Sequence, residues 1–155
     1  MPGIELLYPV GWGDVVFRLS LAVGLGGLIG WEREVDSKPA GLRTHMLVSL
    51  GSAMLIMTAV QTGMVSESAD TVSRIIQGIV TGIGFLGAGE IVSFSNVESG
   101  QVRVRGLTSA AAIWVAMAIG IAAGCGLWQI GVYGAVSTFV ILWGVKRIET
   151  RLGRR

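Results

Sequence analysis

RIIQGIVTGIGFLGAGE, residues 74–90, is the stretch whose reading decides the fold. It is a hydrophobic run with five glycines, opened by Arg74 and closed by Glu90. As a helix in water it would be poor, because each interior glycine costs about 1 kcal/mol relative to alanine. In a bilayer the balance reverses. Lipid offers no hydrogen bonds, so the backbone satisfies itself as a helix, and small residues let neighbouring helices approach. Gly78 and Gly82 stand four apart, as do Gly84 and Ala88, which gives this helix two small faces for packing. The pattern predicts a transmembrane helix at the centre of a bundle.

Composition widens that reading to the whole chain. The 155 residues are 52% hydrophobic and 14% charged, with a mean hydropathy of +0.68. A soluble domain carries about 25% charged residues, so the class is an integral membrane protein, all-α, in one domain. Five stretches reach the roughly 20 apolar residues that cross a hydrocarbon core about 30 Å thick. They lie near residues 12–31, 43–62, 72–94, 107–126 and 127–146, followed by a basic tail over 147–155. The opening MPGIELLYP lacks the basic region of a cleavable signal, so the first span is kept as structure. Cys125 is the only cysteine, which excludes an intramolecular disulfide.

The charges orient the bundle. The first loop carries Arg33, Lys38 and Arg43, the third Arg103 and Arg105, and the tail Lys146, Arg147, Arg151, Arg154 and Arg155. The second loop carries Glu67 and Asp70 with no lysine or arginine. Ten of the 12 basic residues therefore share one side, which the positive-inside rule makes cytoplasmic. The expected topology has the N-terminus outside and the C-terminus inside. The basic pI thus reflects orientation, and no nucleic-acid partner is expected.

An internal repeat is visible in the same charges. Asp14 and Arg18 match Asp70 and Arg74 at an offset of 56, and Ala22 and Gly26 match Gly78 and Gly82 at that offset. Each run ends in an acid, Glu32 and Glu90, and after each following loop come Gly-Leu-Arg43-Thr44 and Gly-Leu-Thr108-Ser109. The expected architecture is two parallel helix pairs about an axis along the membrane normal, with a fifth helix added.

Several polar residues compete for a functional role. Arg18 and Arg74 each follow an aspartate by four residues, on one helix face. Either both snorkel to the interface, or they face inward as a pair that binds an anion. Glu90 lies roughly 24 Å of helical rise beyond Arg74. It either reaches headgroup water or is buried and paired with Arg43, Arg103 or Arg105. Glu32, Glu34 and Asp36 either form a solvated loop balanced by Arg33, Lys38 and Arg43, or hold a hydrated magnesium ion through oxygen ligands. His45 is a lone histidine with no cluster to make it a metal ligand. Ala22, Gly26 and Gly30 in the first span, and Ala112, Ala116, Gly120 and Gly124 in the fourth, form small-xxx-small ladders that mark helix packing, with a homodimer seam as the next reading. No nucleophile–base pair, phosphate loop or redox motif is present, so neither an enzyme nor a cofactor is expected.

With these motifs in place, the chain resembles the MgtC/SapB family of bacterial inner-membrane proteins. The matching stretches are RLSLAVGLGGLIGWERE, KPAGLRTHMLVSLGSA, RIIQGIVTGIGFLGAGEI and RGLTSAAAIWVAMAIGIAAG, from Arg18 to about Gly124. The resemblance implies a bundle of about five spans, adaptation to low magnesium and, in pathogens, survival inside host cells. Some members carry a soluble regulatory domain after the last helix, and a chain that stops at Arg155 reads as a short form. In the family pattern the position of Glu90 is more often small or aliphatic, so no family-wide role is expected for that carboxylate.

Two functions compete. The first is a regulator of magnesium-linked stress physiology that acts in the bilayer on membrane partners, a second copy or another membrane protein complex, with Arg18, Glu32, Arg43, Thr44 and Arg74 as its polar framework. The second is a small transporter or channel for a divalent cation or another ion, with magnesium as candidate ligand and a path along the third helix at Arg74 and Glu90; Asp70 and Thr108 are further polar-framework or ligand-binding candidates. The basic tail also suits anionic lipid. Replacing Arg151, Arg154 and Arg155 with glutamine is expected to preserve orientation, read by reporter fusions, while lowering the anionic lipid that co-purifies with the protein.

Overall fold

The computed structural model describes residues 7–68, 70–92, 106–151 and 153. Among them all regular structure is helical: α1 (Trp12–Val35), α2 (Leu42–Gln61), α3 (Met64–Glu67), α4 (Asp70–Val92), α5 (Leu107–Gly124), α6 (Trp128–Val140) and α7 (Lys146–Arg151). A π-helical segment, Ile141–Val145, joins α6 to α7 without a break. Five helices are long and apolar enough to cross a membrane: α1, α2, α4, α5 and the continuous rod Trp128–Ile148.

Two helix ends run beyond their expected limits. The first helix continues past residue 31 to Val35, because Glu32 and Arg33 neutralise each other within its last turns. It stops where Ser37 takes a left-handed φ of 50°. The last helix continues through Arg151, so the expected basic tail begins helical, with the Thr150 hydroxyl donating to the Lys146 carbonyl at 2.9 Å. Arg103, Arg105, Arg154 and Arg155 lie outside the described residues.

The centre of the bundle is α5. Its composition is apolar on every face, which is the signature of a buried helix. Accordingly 61% of its spanning window is buried, against 11% for α4. The glycine-rich helix expected at the centre therefore stands at the edge. A Cβ added at Gly78, Gly82 or Gly84 would meet nothing within 4 Å, because α4 turns other residues inward. It packs through Ile79 and Ile83 against a cluster with Ile56, Ile113 and Met117, and through Gly87 against Ala110.

The closest approaches belong to the ladders of α1 and α5, which hold α2 between them. A Cβ at Gly120 would overlap the Ser49 carbonyl oxygen, and one at Gly124 would lie 2.9 Å from the Ala53 carbonyl oxygen. On the other side, a Cβ at Gly26 would lie 2.7 Å from the His45 carbonyl oxygen and one at Gly30 2.7 Å from the Leu42 Cα. Ala22, Ala53 and Ala123 complete this layer, all without solvent exposure. The rod starting at α6 covers α1 and α5 through Ala135 and Leu142 against Ile29, Ala112 and Ile119. Ahead of α1, Val10 and the Gln61 side chain exchange two hydrogen bonds of 2.8 and 2.9 Å, which pin the incoming chain to the end of α2.

The repeat survives in connectivity but not in environment. Helix α1 packs on α2, α4 packs on α5, and α2 meets α5 between them. Yet Gly26 is clasped against α2 while its counterpart Gly82 has open space beside it. The interior therefore depends on α5 more than on α4. Gly120→Ala is expected to destabilise the folded protein by about 3 kcal/mol, the upper range for overpacking a tight interior. Gly24→Ala, where a Cβ meets nothing within 4 Å, is expected to be neutral or stabilising. Thermal melts in one detergent compare the two.

Candidate functional site

Polar chemistry gathers at the two ends of the bundle. At one end, Asp14 and Arg18 occupy successive turns of α1 and form an ion pair of 2.6 Å. Arg18 is only 4% exposed, which requires that its guanidinium be satisfied by protein. Its Nη1 donates to the Gly124 carbonyl at 3.1 Å. That carbonyl belongs to the last turn of α5, where backbone acceptors have no intrahelical donor and the helix dipole is negative. Arg18 thus caps α5 from α1. Gly126 adopts a φ of 79°, and a Cβ there would lie 2.8 Å from Arg18 Cζ, so the turn into α6 needs glycine both for its conformation and for space. Cys125, in the same turn, is buried, and burial pushes its thiol pKa up, with the Arg18 charge opposing in part. Asp14, Phe17, Arg18, Gly126, Trp128 and Gln129 line a pocket of about 310 Å³ at this end.

The opposite end is built on Glu32 and Arg33. These neighbours form a two-pronged pair, Nε to Oε2 at 2.5 Å and Nη2 to Oε1 at 2.8 Å, with both side chains buried. Arg33 also approaches Asp36 at 4.0 Å, and Asp36 accepts from Lys146 Nζ, which ties the end of α1 to α7. Glu34 accepts from the Leu42 N–H at 3.0 Å. A carboxylate from eight residues upstream therefore fills the capping role at the start of α2, where free N–H groups and a positive dipole favour it. Its oxygen occupies the space a Cβ on Gly41 would need.

Each of these carboxylates has a partner within the protein. Glu32 turns to Arg33, Glu34 to the Leu42 N–H, and Asp36 to Lys146 and Arg33, and none of them turns to another carboxylate. Among the described residues, no group of three or more His, Cys, Asp or Glu side chains is placed to hold a metal ion.

The two arginines of the repeat stand in different environments. Arg18 is buried, whereas Arg74 is exposed and makes no ion pair with Asp70, itself exposed. The same D-x-x-x-R spacing closes in α1 because α5 supplies Gly124 beside Arg18. Among the described residues, nothing covers the corresponding face of α4. Of the remaining candidates, Arg43 and Thr108 are exposed and Thr44 is half-buried. Glu90 is half-buried, and its Oε1 is enclosed without a hydrogen-bond partner among the described residues. Gly106 holds the start of α5 against this turn, since a Cβ there would lie 2.8 Å from the Glu90 carbonyl oxygen.

The largest fully enclosed polar side chain is one that the sequence offers only as a lone histidine. His45 has no solvent exposure. Its Nδ1 lies 2.8 Å from the Gly41 carbonyl, and because a carbonyl only accepts, Nδ1 carries the proton. Its Nε2 and the Ser49 hydroxyl oxygen are both enclosed without a partner among the described residues. Ser52 continues the row and donates to the Val48 carbonyl at 2.9 Å. The signal was present as spacing: His45, Ser49 and Ser52 recur at i, i+4 and i+7, one face of α2.

Comparison with known proteins agrees with this architecture. The family model described as the MgtC family matches residues 19–151. Protein SrpB of Synechococcus elongatus is 44% identical over 142 residues, covering 89% of this chain and 78% of that protein. The protein named "Putative magnesium transporter YhiD" of Escherichia coli is 39% identical, covering 90% of this chain and 64% of its own length. Protein MgtC of Salmonella typhimurium is 41% identical over 111 residues, covering 72% of this chain and 43% of its own length. The chain thus spans less than two thirds of the latter two relatives. No solved structure matches. A family match across nearly all of the helical bundle, with relatives at this level of identity, makes the chain a member of the MgtC family.

Proposed function

We propose that this chain is a magnesium-linked protein of the bacterial cytoplasmic membrane that acts by lateral association with membrane partners. In this reading it is not an enzyme, and its own core carries no ion. The observation that carries the reading is the closure of the interior. Between the Arg18 end and the Glu32 end, α1, α2 and α5 meet backbone to backbone at Gly26, Gly30, Gly120 and Gly124. The carboxylates nearest this core, Asp14 and Glu32, are each held by an arginine, so neither offers a free ligand to a hydrated cation. The family's association with low-magnesium adaptation supports the magnesium link. The crowding of basic residues at the Glu32 end supports a cytoplasmic C-terminus and an outside N-terminus. Helix α4, with little of its surface covered, supplies a face for association.

A transport reading has one observation of its own, the name of YhiD, a relative with 39% identity. Flux separates the two. In proteoliposomes with a magnesium gradient and an enclosed magnesium dye, the lateral reading expects entry equal to that of protein-free vesicles. Magnesium entry that needs the protein, and that fails in Glu32→Gln or Arg74→Ala of unchanged helicity, would overturn it.

A further inference from the structure

The face of α4 left uncovered among the described residues carries a pattern that its neighbours do not explain. Asp70, Arg74, Gln77, Thr81, Gly84 and Ala88 follow one another at steps of 4, 3, 4, 3 and 4 residues. That is the 3.5-residue repeat of a helix seam, which keeps one stripe facing a partner along its whole length. The stripe points away from the bundle: Ile79 and Ile83 are buried against α5 on the other side, while Asp70, Arg74, Gln77, Thr81 and Ala88 are exposed and Gly84 is half-buried.

The chemistry of the stripe is costly in lipid. Gln77 sits seven residues into the helix and Thr81 eleven, at depths of roughly 10 and 16 Å. Thr81 is therefore near the middle of a core about 30 Å thick, where lipid offers no hydrogen bonds. The Thr81 hydroxyl donates back to the Gln77 carbonyl at 2.8 Å, and the Gln77 amide makes one long contact of 3.5 Å with Ser73. Most of the Gln77 amide capacity and all of the ion-pairing capacity of Arg74 stay unused among the described residues.

We infer that α4 is the seam of a parallel homodimer, its stripe packed against the same stripe of a second copy. Self-complementarity singles out this occupant. A two-fold interface brings residue i onto j and j onto i. Asp70 only accepts and Arg74 only donates, one turn apart, so two parallel copies form Asp70–Arg74 pairs in both directions. Gln77 both donates and accepts, so it pairs with its own copy across the axis. Polar residues at single seam positions fix register and pairing in this way. Deeper in the membrane, Gly84 and Ala88 let the two backbones approach. All copies insert with one orientation, which places the two-fold axis along the membrane normal. This inference deepens the lateral-association reading and rests on it.

Cysteine cross-linking in native membranes tests it on the full chain. The buried Cys125 is first replaced by serine. Single cysteines at Gln77, Thr81 and Ala88 are expected to give disulfide dimers on mild oxidation, and cysteines at the exposed positions Leu55 and Val136 are not. In the Thr81→Cys background, Asp70→Arg or Arg74→Asp is expected to lower the dimer about fivefold, and the exchanged pair D70R/R74D to restore it. Dimers absent from the stripe, equal dimers at Leu55 or Val136, or no recovery in the exchanged pair would overturn the inference. Cross-linking of Thr81→Cys to a different protein would overturn the homodimer while leaving the lateral reading in place. Magnesium flux would do the reverse.

Discussion

The rest of the structure depends on the contact between the backbones of α2 and α5. Gly120 lies so close to the Ser49 carbonyl that no side chain fits between them. In lipid, helices associate through packing and hydrogen bonds rather than by escaping water, so such an approach is the main source of cohesion available to a short apolar bundle. Once α2 and α5 touch there, α1 can close on α2 only through its own glycines, and it does so at Gly26 and Gly30. The last span is left to cover the flank of α1 and α5, and α4 takes the remaining side. The order of the layers follows from where the smallest residues meet.

Helix ends supply the second organising force. A buried helix terminus leaves backbone groups without partners, and here charged side chains from other elements meet them. Arg18 serves the last turn of α5, and Glu34 serves the first turn of α2. Each is opposite in sign to the dipole end it meets. The charges are therefore part of the bundle's framework at both ends, and the middle is left to alanine, glycine and branched aliphatics, with the His45, Ser49 and Ser52 row as its uncharged polar exception. This division explains how a chain with 22 charged residues can keep a close-packed apolar centre.

Much of this was legible in the sequence, for reasons that are local. Five spans follow from run length, and the ladders of α1 and α5 follow from spacing alone. The roles of individual residues follow from neighbours that only the fold supplies. Arg18 and Arg74 share a motif, yet α5 ends beside one and no described residue covers the other. Gly78 and Gly82 have the spacing of a packing face, but so do Gly120 and Gly124, and the pattern cannot say which pair finds a backbone opposite. His45 lacked any cluster in sequence, because what encloses it comes from α1, on the far side of a loop. Glu34 acts as a cap eight residues from its target, outside the window in which capping boxes are sought.

The π-helical segment Ile141–Val145 has a consequence of its own. Such segments behave as a single residue inserted into an α-helix, widening one turn. Everything downstream is rotated by about 100° relative to an unbroken helix. Upstream, Ala135 faces the bundle. Downstream, Lys146 meets Asp36, and Arg147 stacks on Trp143 at 5.1 Å. The last span therefore carries two phases, one set by apolar packing and one by charge. The widened turn is the joint that lets a single rod obey both.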